Sequence, residues 1–280
     1  MRDIDGRTII TGLIGSPVEH TYSPLIQNTF AENLGVNAVY IPLGVKESLP
    51  DALKGAFAFG FAGMNVTVPY KQAVIPLLSG IDPVSERIGA VNTLVKDEEG
   101  YRGYNTDSTG FIRAMDKAGI DVRGRDCIIL GAGGASRAVY DALHCSGADH
   151  VYVLNRSLDR ARENFGQCSD VTLLSVRDYR SLPSGQYICI QCTPVGLYPD
   201  NDRTVIEDEA FYDLIEAGFD LVYRPARTEF MKRLERQGKK ACNGLDMLLF
   251  QAAESFELFT GTKVTEEAME AAEKALSKVL

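Results

Sequence analysis

At 280 residues the chain is longer than one typical domain, so two cores are the first expectation. The hydrophobic share of 45% and charged share of 24% are those of a globular protein. No apolar run approaches the roughly 20 residues that span a bilayer, and Met1-Arg2-Asp3-Ile4-Asp5-Gly6 lacks the apolar stretch of a signal peptide. The expectation is therefore a cytoplasmic protein with no membrane association. A net charge of −9 argues against a nucleic-acid partner, whose phosphates need a basic stripe.

In chain order, Ile9–Ile14 and Ala38–Leu43 read as strands, with a helix over Pro24–Leu34 between them. Gly63–Val68 and Val91–Val95 are the next strands. Four short strings in this part carry chemistry-bearing side chains. His20-Thr21-Tyr22-Ser23-Pro24 sets two hydroxyls before a helix start, where they can cap the helix or donate to a carboxylate. Asn65-Val66-Thr67-Val68-Pro69-Tyr70-Lys71 runs from a strand into a lysine. Gly89-Ala90-Val91-Asn92-Thr93 and Gly103-Tyr104-Asn105-Thr106-Asp107 follow, the last ending where a helix is expected, so that Asp107 could simply be its N-cap.

From about 125 to 243 β-rich runs alternate with helical stretches. The runs are Cys127–Leu130, Val151–Leu154, Val171–Leu174, Tyr187–Ile190 and Phe219–Val222, with helices over Ala135–Cys145 and Ser157–Phe165. Continuous apolar strands separated by helices mean a parallel sheet covered on both faces. The first strand enters Gly131-Ala132-Gly133-Gly134-Ala135-Ser136-Arg137 and a helix follows. Gly131 permits the tight turn, Gly133 lets backbone approach a pyrophosphate, and the helix N-terminus supplies N–H groups. Ser136 stands where a third glycine is usual. About 20 residues on, where an NAD protein carries an acid for the ribose, this chain has Asn155-Arg156-Ser157 and then Arg160. Two guanidiniums suit a 2′-phosphate, which points to NADP.

Cys189 and Cys192 have C-x-x-C spacing, but no second pair or histidine completes a metal site, and they read as reduced thiols near a strand end. The three histidines, His20, His144 and His150, are too dispersed for a metal site, and none is expected. Leu245–Leu280 is helical, broken at Thr260-Gly261-Thr262. A terminal helix pair commonly packs back on the first domain, so the expected division is 1–107 with 245–280 for one domain and 108–244 for the other.

Together these strings resemble the signature of the shikimate dehydrogenase family, in family order from residue 20 to Gly244-Leu245-Asp246-Met247-Leu248-Leu249-Phe250-Gln251. The resemblance implies a two-lobed α/β protein, with an N-terminal α/β substrate domain and a Rossmann-type NADP-binding domain built on a parallel sheet. It implies reversible reduction of 3-dehydroshikimate to shikimate, a step of aromatic amino-acid biosynthesis, with Lys71 and Asp107 as the catalytic pair. Thr21 and Ser23 would hold the substrate carboxylate, with Tyr223 beside it, and Thr67, Asn92 and Gln251 the ring hydroxyls. Gly131, Ala132, Gly133, Gly134, Ala135 and Arg137 would hold the pyrophosphate, and Asn155, Arg156, Ser157 and Arg160 the adenosine 2′-phosphate. Thr193, Gly244 and Met247 would complete the cofactor site. A monomer or homodimer is expected.

Thr21 stands where the family usually has serine, which leaves quinate open as a substrate, with NAD or dual cofactor use. Gln27 replaces a commoner histidine. A reading of another class, a catalytically silent dinucleotide-binding regulator, conflicts with the intact Lys71, Asp107, Asn92 and Gln251.

Overall fold

A computed structural model describes residues 4–280; Met1, Arg2 and Asp3 of the N-terminal run lie outside the described residues. The chain runs through β1 (Ile9–Gly15), α1 (Ser23–Asn33), β2 (Ala38–Gly44), α2 (Leu49–Ala58), β3 (Gly63–Val66), α3 (Tyr70–Ala73), β4 (Gly80–Ile81), α4 (Pro83–Ile88), β5 (Thr93–Lys96), β6 (Tyr101–Tyr104) and α5 (Thr106–Lys117). There follow β7 (Asp126–Leu130), α6 (Gly134–Cys145), β8 (His150–Asn155), α7 (Leu158–Phe165), β9 (Val171–Ser175), β10 (Tyr187–Gln191), α8 (Glu209–Asp213), β11 (Ile215–Asp220), α9 (Glu229–Arg236), β12 (Lys240–Asn243), α10 (Leu245–Thr260) and α11 (Glu266–Leu276). Two compact units result, Met1–Gly110 with Leu249–Val279, and Phe111–Leu248. The divisions fall inside α5 and α10.

In the first unit the strands take the order β2-β1-β3-β5-β6-β4. β1 pairs in parallel with β2 and β3, and the β3–β5 and β5–β6 pairs are antiparallel. Met64, Val66, Val74, Val91 and Leu94 build the core on one side with Leu53 and Phe61. On the other, Phe30 of α1 meets Phe256 of α10 edge to face at 5.8 Å between centroids. The strand expected over Val91–Val95 begins only at Thr93, and Val91-Asn92 approach it as an irregular segment. That segment is still held, since the Val91 N–H donates to the Lys71 carbonyl at 2.8 Å and the Asn92 N–H to the Tyr104 carbonyl at 3.0 Å.

In the second unit the sheet order is β12-β11-β10-β7-β8-β9, all parallel. This is a doubly wound sheet whose order reverses between β7 and β10, so a crevice opens beyond the carboxyl ends of those two strands. β7, β8 and β10 are buried on both faces, which is why they read as uninterrupted apolar runs. The run expected over Phe219–Val222 is instead the end of Ile215–Asp220. Glu216 and Gly218 disguise its start, and Gly218 is needed because a Cβ there would lie 2.3 Å from Leu234 and 2.8 Å from Phe230.

Cys189 lies buried in β10, and burial pushes its thiol well above the ordinary value; Cys192 is raised by the same cause. All six cysteines are free thiols. Among the described residues no helix is long and apolar enough to cross a membrane, and no group of three or more His, Cys, Asp or Glu is placed to hold a metal ion.

Candidate active site

β3 ends at Val66, and the chain turns through Thr67-Val68-Pro69 into the single helical turn α3, which carries Lys71. β6 ends at Tyr104, and α5 starts at Thr106. These two strand ends bring the Lys71 Nζ to 2.5 Å from Asp107 Oδ2, with side-chain exposures of 22% and 13%. Asp107 lies within the first turn of α5, and its N–H is taken by Asn105 Oδ1 at 3.1 Å. The carboxylate is therefore not spent as the cap of its own helix.

The second oxygen of Asp107 accepts from Asn92 Nδ2 at 2.9 Å. Asn92 is almost fully buried, and its amide is fully engaged within the protein. Its Nδ2 also donates to Thr106 Oγ1 at 3.0 Å, while its Oδ1 accepts from the Thr106 N–H and the Thr93 hydroxyl, each at 2.9 Å. An amide with both ends committed cannot rotate, so it fixes which edge of Asp107 faces Lys71.

Behind this pair runs a buried polar network. Asn65 Nδ2 donates to Ser255 Oγ at 2.9 Å and to Thr93 Oγ1 at 3.0 Å, and Ser255 contacts Thr93 and Thr106 at 3.0 and 3.2 Å. The Ser255 hydroxyl also reaches the Gln251 carbonyl at 2.9 Å, one helical turn back on α10. Tyr40 donates to Asn65 Oδ1 at 2.8 Å and is hydrogen-bonded by Ser23, with burial holding its hydroxyl pKa well above the usual value. Thr21 Oγ1 donates to Ser23 Oγ and accepts the Ser23 N–H, both at 3.2 Å. Tyr22, not Thr21 or Ser23, holds the N-cap position of α1, and its own side chain makes no cap hydrogen bond. The two hydroxyls are thus linked to each other, with Thr21 also taking the first N–H of α1.

Thr21, Ser23, Thr67, Lys71, Asn92, Asp107 and Gln251 all belong to the first unit. Thr67 packs its methyl over Gly15, where a Cβ would lie 2.3 Å from it. Tyr223 belongs to the second unit, on the turn after β11. Gln27 is buried and donates to the Ala252 carbonyl of α10 at 2.8 Å, a helix–helix tie.

The expected cofactor residues cluster in the second unit. A cleft of about 320 Å³ beyond β7, β8 and β10 is lined by Gly131, Ala132, Gly133, Asn155, Arg156, Ser157, Arg160 and Thr193 from that set. Gly131 has φ +108 and its missing Cβ would lie 2.7 Å from the Thr193 methyl, so only glycine fits the turn. Above Gly133 and Gly134 a Cβ would meet nothing within 4 Å, leaving room for a ligand against the backbone. Ser136 accepts the Gly133 N–H at 3.1 Å, which gives the substituted fingerprint position a capping role. Ser157 caps α7 through the Arg160 N–H at 3.3 Å, and Asn164 ties the glycine loop by donating to the Ala132 carbonyl at 2.9 Å.

Gly134, Ala135, Arg137, Gly244 and Met247 do not line this cleft. Arg137 is half-buried on α6 near Cys168, where burial lowers its pKa from the ordinary value. Gly244 is explained by packing, because a Cβ would lie 2.2 Å from the Leu221 carbonyl oxygen.

Two residues were invisible to sequence reasoning. Arg203 joins Arg156 and Arg160 in the lining, which holds three guanidiniums and no carboxylate. It comes from an irregular loop with no motif. Ser255 sits at the centre of the polar network, and its only trace in the sequence is its place one turn after Gln251. Ser255→Ala is expected to leave buried donors unpaired and lower stability by about 1–3 kcal/mol, read as a shifted urea midpoint at unchanged slope. An unchanged midpoint would show that the network rearranges freely.

Residues 13–94 match the family model for the shikimate dehydrogenase substrate binding domain, residues 113–194 that for shikimate/quinate 5-dehydrogenase, and residues 244–272 that for the shikimate 5′-dehydrogenase C-terminal domain. A shikimate dehydrogenase (NADP(+)) of Moorella thermoacetica is 40% identical over 269 residues, covering 93% of this chain and 91% of its own. The crystal structure of a chorismate mutase/shikimate 5-dehydrogenase fusion protein from Clostridium acetobutylicum aligns with a TM-score of 0.90 at 33% identity, over 97% of this chain and 98% of that one. The shikimate 5-dehydrogenase of Listeria monocytogenes, solved in complex with shikimate and NAD, gives 0.88 at 30% identity, over 99% of both chains.

Proposed function

The chain belongs to the shikimate dehydrogenase family, and from that premise we propose that it catalyses the reversible, NADP-dependent reduction of 3-dehydroshikimate to shikimate in aromatic amino-acid biosynthesis. The observation that carries the reading is the Lys71–Asp107 pair, held at 2.5 Å and oriented by Asn92, since a binding module has no use for a built proton-handling dyad. Bound NADPH supplies the hydride to the C3 carbonyl carbon. As negative charge develops on the carbonyl oxygen, the Lys71 ammonium stabilises it and delivers the proton that completes the hydroxyl. In oxidation the same groups take the proton back. Asp107 holds the ammonium through one oxygen, and Asn92 keeps the other oxygen in place. The Thr21 and Ser23 hydroxyls exchange their mutual hydrogen bonds for bonds to the substrate carboxylate, and Thr67 and Gln251 meet the ring hydroxyls.

For the cofactor, the open backbone over Gly133 fits a pyrophosphate, and the three arginines fit an adenosine 2′-phosphate. A charge-assisted hydrogen bond lost from each of two arginines corresponds to roughly tenfold apiece. Arg156→Ala with Arg160→Ala is therefore expected to lower the preference for NADP over NAD by about 10²-fold, with kcat at saturating cofactor little changed. The same reading has the protein act in the cytoplasm as a monomer or homodimer.

The decisive assay compares kcat/KM for shikimate and quinate, each with NADP and with NAD. Preference for shikimate with NADP supports the proposal. Preference for quinate would transfer it to the quinate/shikimate reading that Thr21, standing where serine is usual, leaves open. NADPH binding with no oxidation of either alcohol would sink the enzymatic reading.

A further inference from the structure

The end of β11 carries a carboxyl to which the proton-transfer reading gives no task. Asp220 has no solvent exposure, and the hydrogen bonds it receives come from neutral groups. The thiols of Cys189 from β10, Cys192 just after it and Cys242 from β12 lie close enough to act on it or be acted on by it. Burying a carboxyl without a cation is costly, and the hydrogen bonds around it are what offset that cost.

Asp220 accepts from Thr228 Oγ1 at 2.6 Å, from the Val222 N–H at 2.9 Å and from Gln191 Nε2 at 3.1 Å. Gln191, itself buried at the end of β10, turns that bond into loop geometry. Its Nε2 also faces the carbonyls of Thr193 and Val195, each at 3.1 Å, and its Oε1 accepts the Thr193 N–H at 2.5 Å. Three oxygens, Asp220 Oδ1 and the Thr193 and Val195 carbonyls, surround this corner, so it takes the NH₂ end of Gln191 and disfavours the flipped amide. Thr193 and Val195, laced in this way, form a wall of the dinucleotide cleft. The Val222 N–H bond fixes in the same stroke the turn that leads to Tyr223.

Arg156 and Arg160 stand beyond β8 and mark the adenosine half of the cleft, so the other nucleotide of a dinucleotide lies over the ends of β10 and β11. We propose that Asp220 is a positioning residue for the nicotinamide half of the cofactor, acting through Gln191 on the Thr193–Val195 turn. The proposal rests on the NADP-dependent reading above.

Its test uses the full chain and two probes, NADPH and adenosine 2′,5′-bisphosphate, the latter filling the adenosine half alone. Asp220→Leu is expected to raise the NADPH Kd about tenfold and leave the bisphosphate Kd within twofold. Asp220→Asn, which still offers an oxygen to Gln191 and Val222, is expected to retain NADPH binding within threefold. Should Asp220→Leu not fold, Gln191→Met removes the loop bonds at nearly constant volume and is expected to give the same tenfold loss. Unchanged NADPH affinity in a folded Asp220→Leu or Gln191→Met protein, or equal losses for both probes, would overturn the proposal. A wild-type protein that binds the bisphosphate no better than adenosine 5′-phosphate would instead count against the NADP reading.

Discussion

Lys71→Ala is expected to lower kcat by about 10²–10⁴-fold, the usual contribution of one positioned proton donor, while the shikimate KM moves within about threefold. The split follows from where the groups sit. The hydroxyls proposed to hold the carboxylate, Thr21 and Ser23 at the start of α1, hydrogen-bond each other, whereas Lys71 is paired with Asp107. Removing the ammonium leaves Asp107 anchored by Asn92 at 2.9 Å, so the pocket keeps its shape and loses its proton. A loss confined to kcat identifies an interaction made in the transition state; a loss confined to KM would make Lys71 a binding residue. Steady-state kinetics in both directions decide it, and near-normal kcat would remove Lys71 from the chemistry.

The second large effect concerns stability against pH. Burial raises the Asp220 carboxyl from its ordinary 3.8 to about 7, against the lowering influence of Thr228, Val222 and Gln191. The folded protein therefore holds this proton more tightly than the unfolded chain does. The group's contribution to stability is fully present below about 3.8 and is lost as pH rises through about 7. Carried over the whole interval, the loss has a ceiling of about 4 kcal/mol. Asp220→Asn carries no such titration, so wild type should lose stability relative to that variant between pH 5 and pH 8. Parallel denaturant melts across this range check it, and a constant difference would show that Asp220 stays in one protonation state throughout.

The second unit was the more legible part of the chain. Strands buried on both faces are apolar at nearly every position, so β7, β8 and β10 stand within a residue or two of their apolar runs. The glycine loop and the Asn155-Arg156-Ser157 strand end were readable because their spacing from the strands is what sets them in the lining of one cleft. Where the sequence misled, the reason is local. β11 opens with Ile215-Glu216-Ala217-Gly218, whose glycine serves the close packing of Leu234 and Phe230 rather than strand propensity. In the first unit β6 reads Tyr101-Arg102-Gly103-Tyr104, too short and too polar to declare itself. Gly103 there admits Leu78 and Val91, where a Cβ would lie 2.7 and 2.8 Å from them. Lys71 and Asp107 could be picked out because each closes a short motif. Ser255 and Arg203 could not, because what distinguishes them is only which residues distant in sequence lie beside them.

Ser255 also bears on how the chain is made. Asn65 meets it across 190 positions, and α1 packs along α11, so the first unit is incomplete until its last segment has been synthesised. The second unit is one uninterrupted stretch, Phe111–Leu248, and emerges from the ribosome whole while the first still lacks α11 and most of α10. During translation at about 5–20 residues per second, the middle of the protein is thus free to fold before its beginning. Until then Asn65, Thr93 and Thr106 must wait with water in place of Ser255.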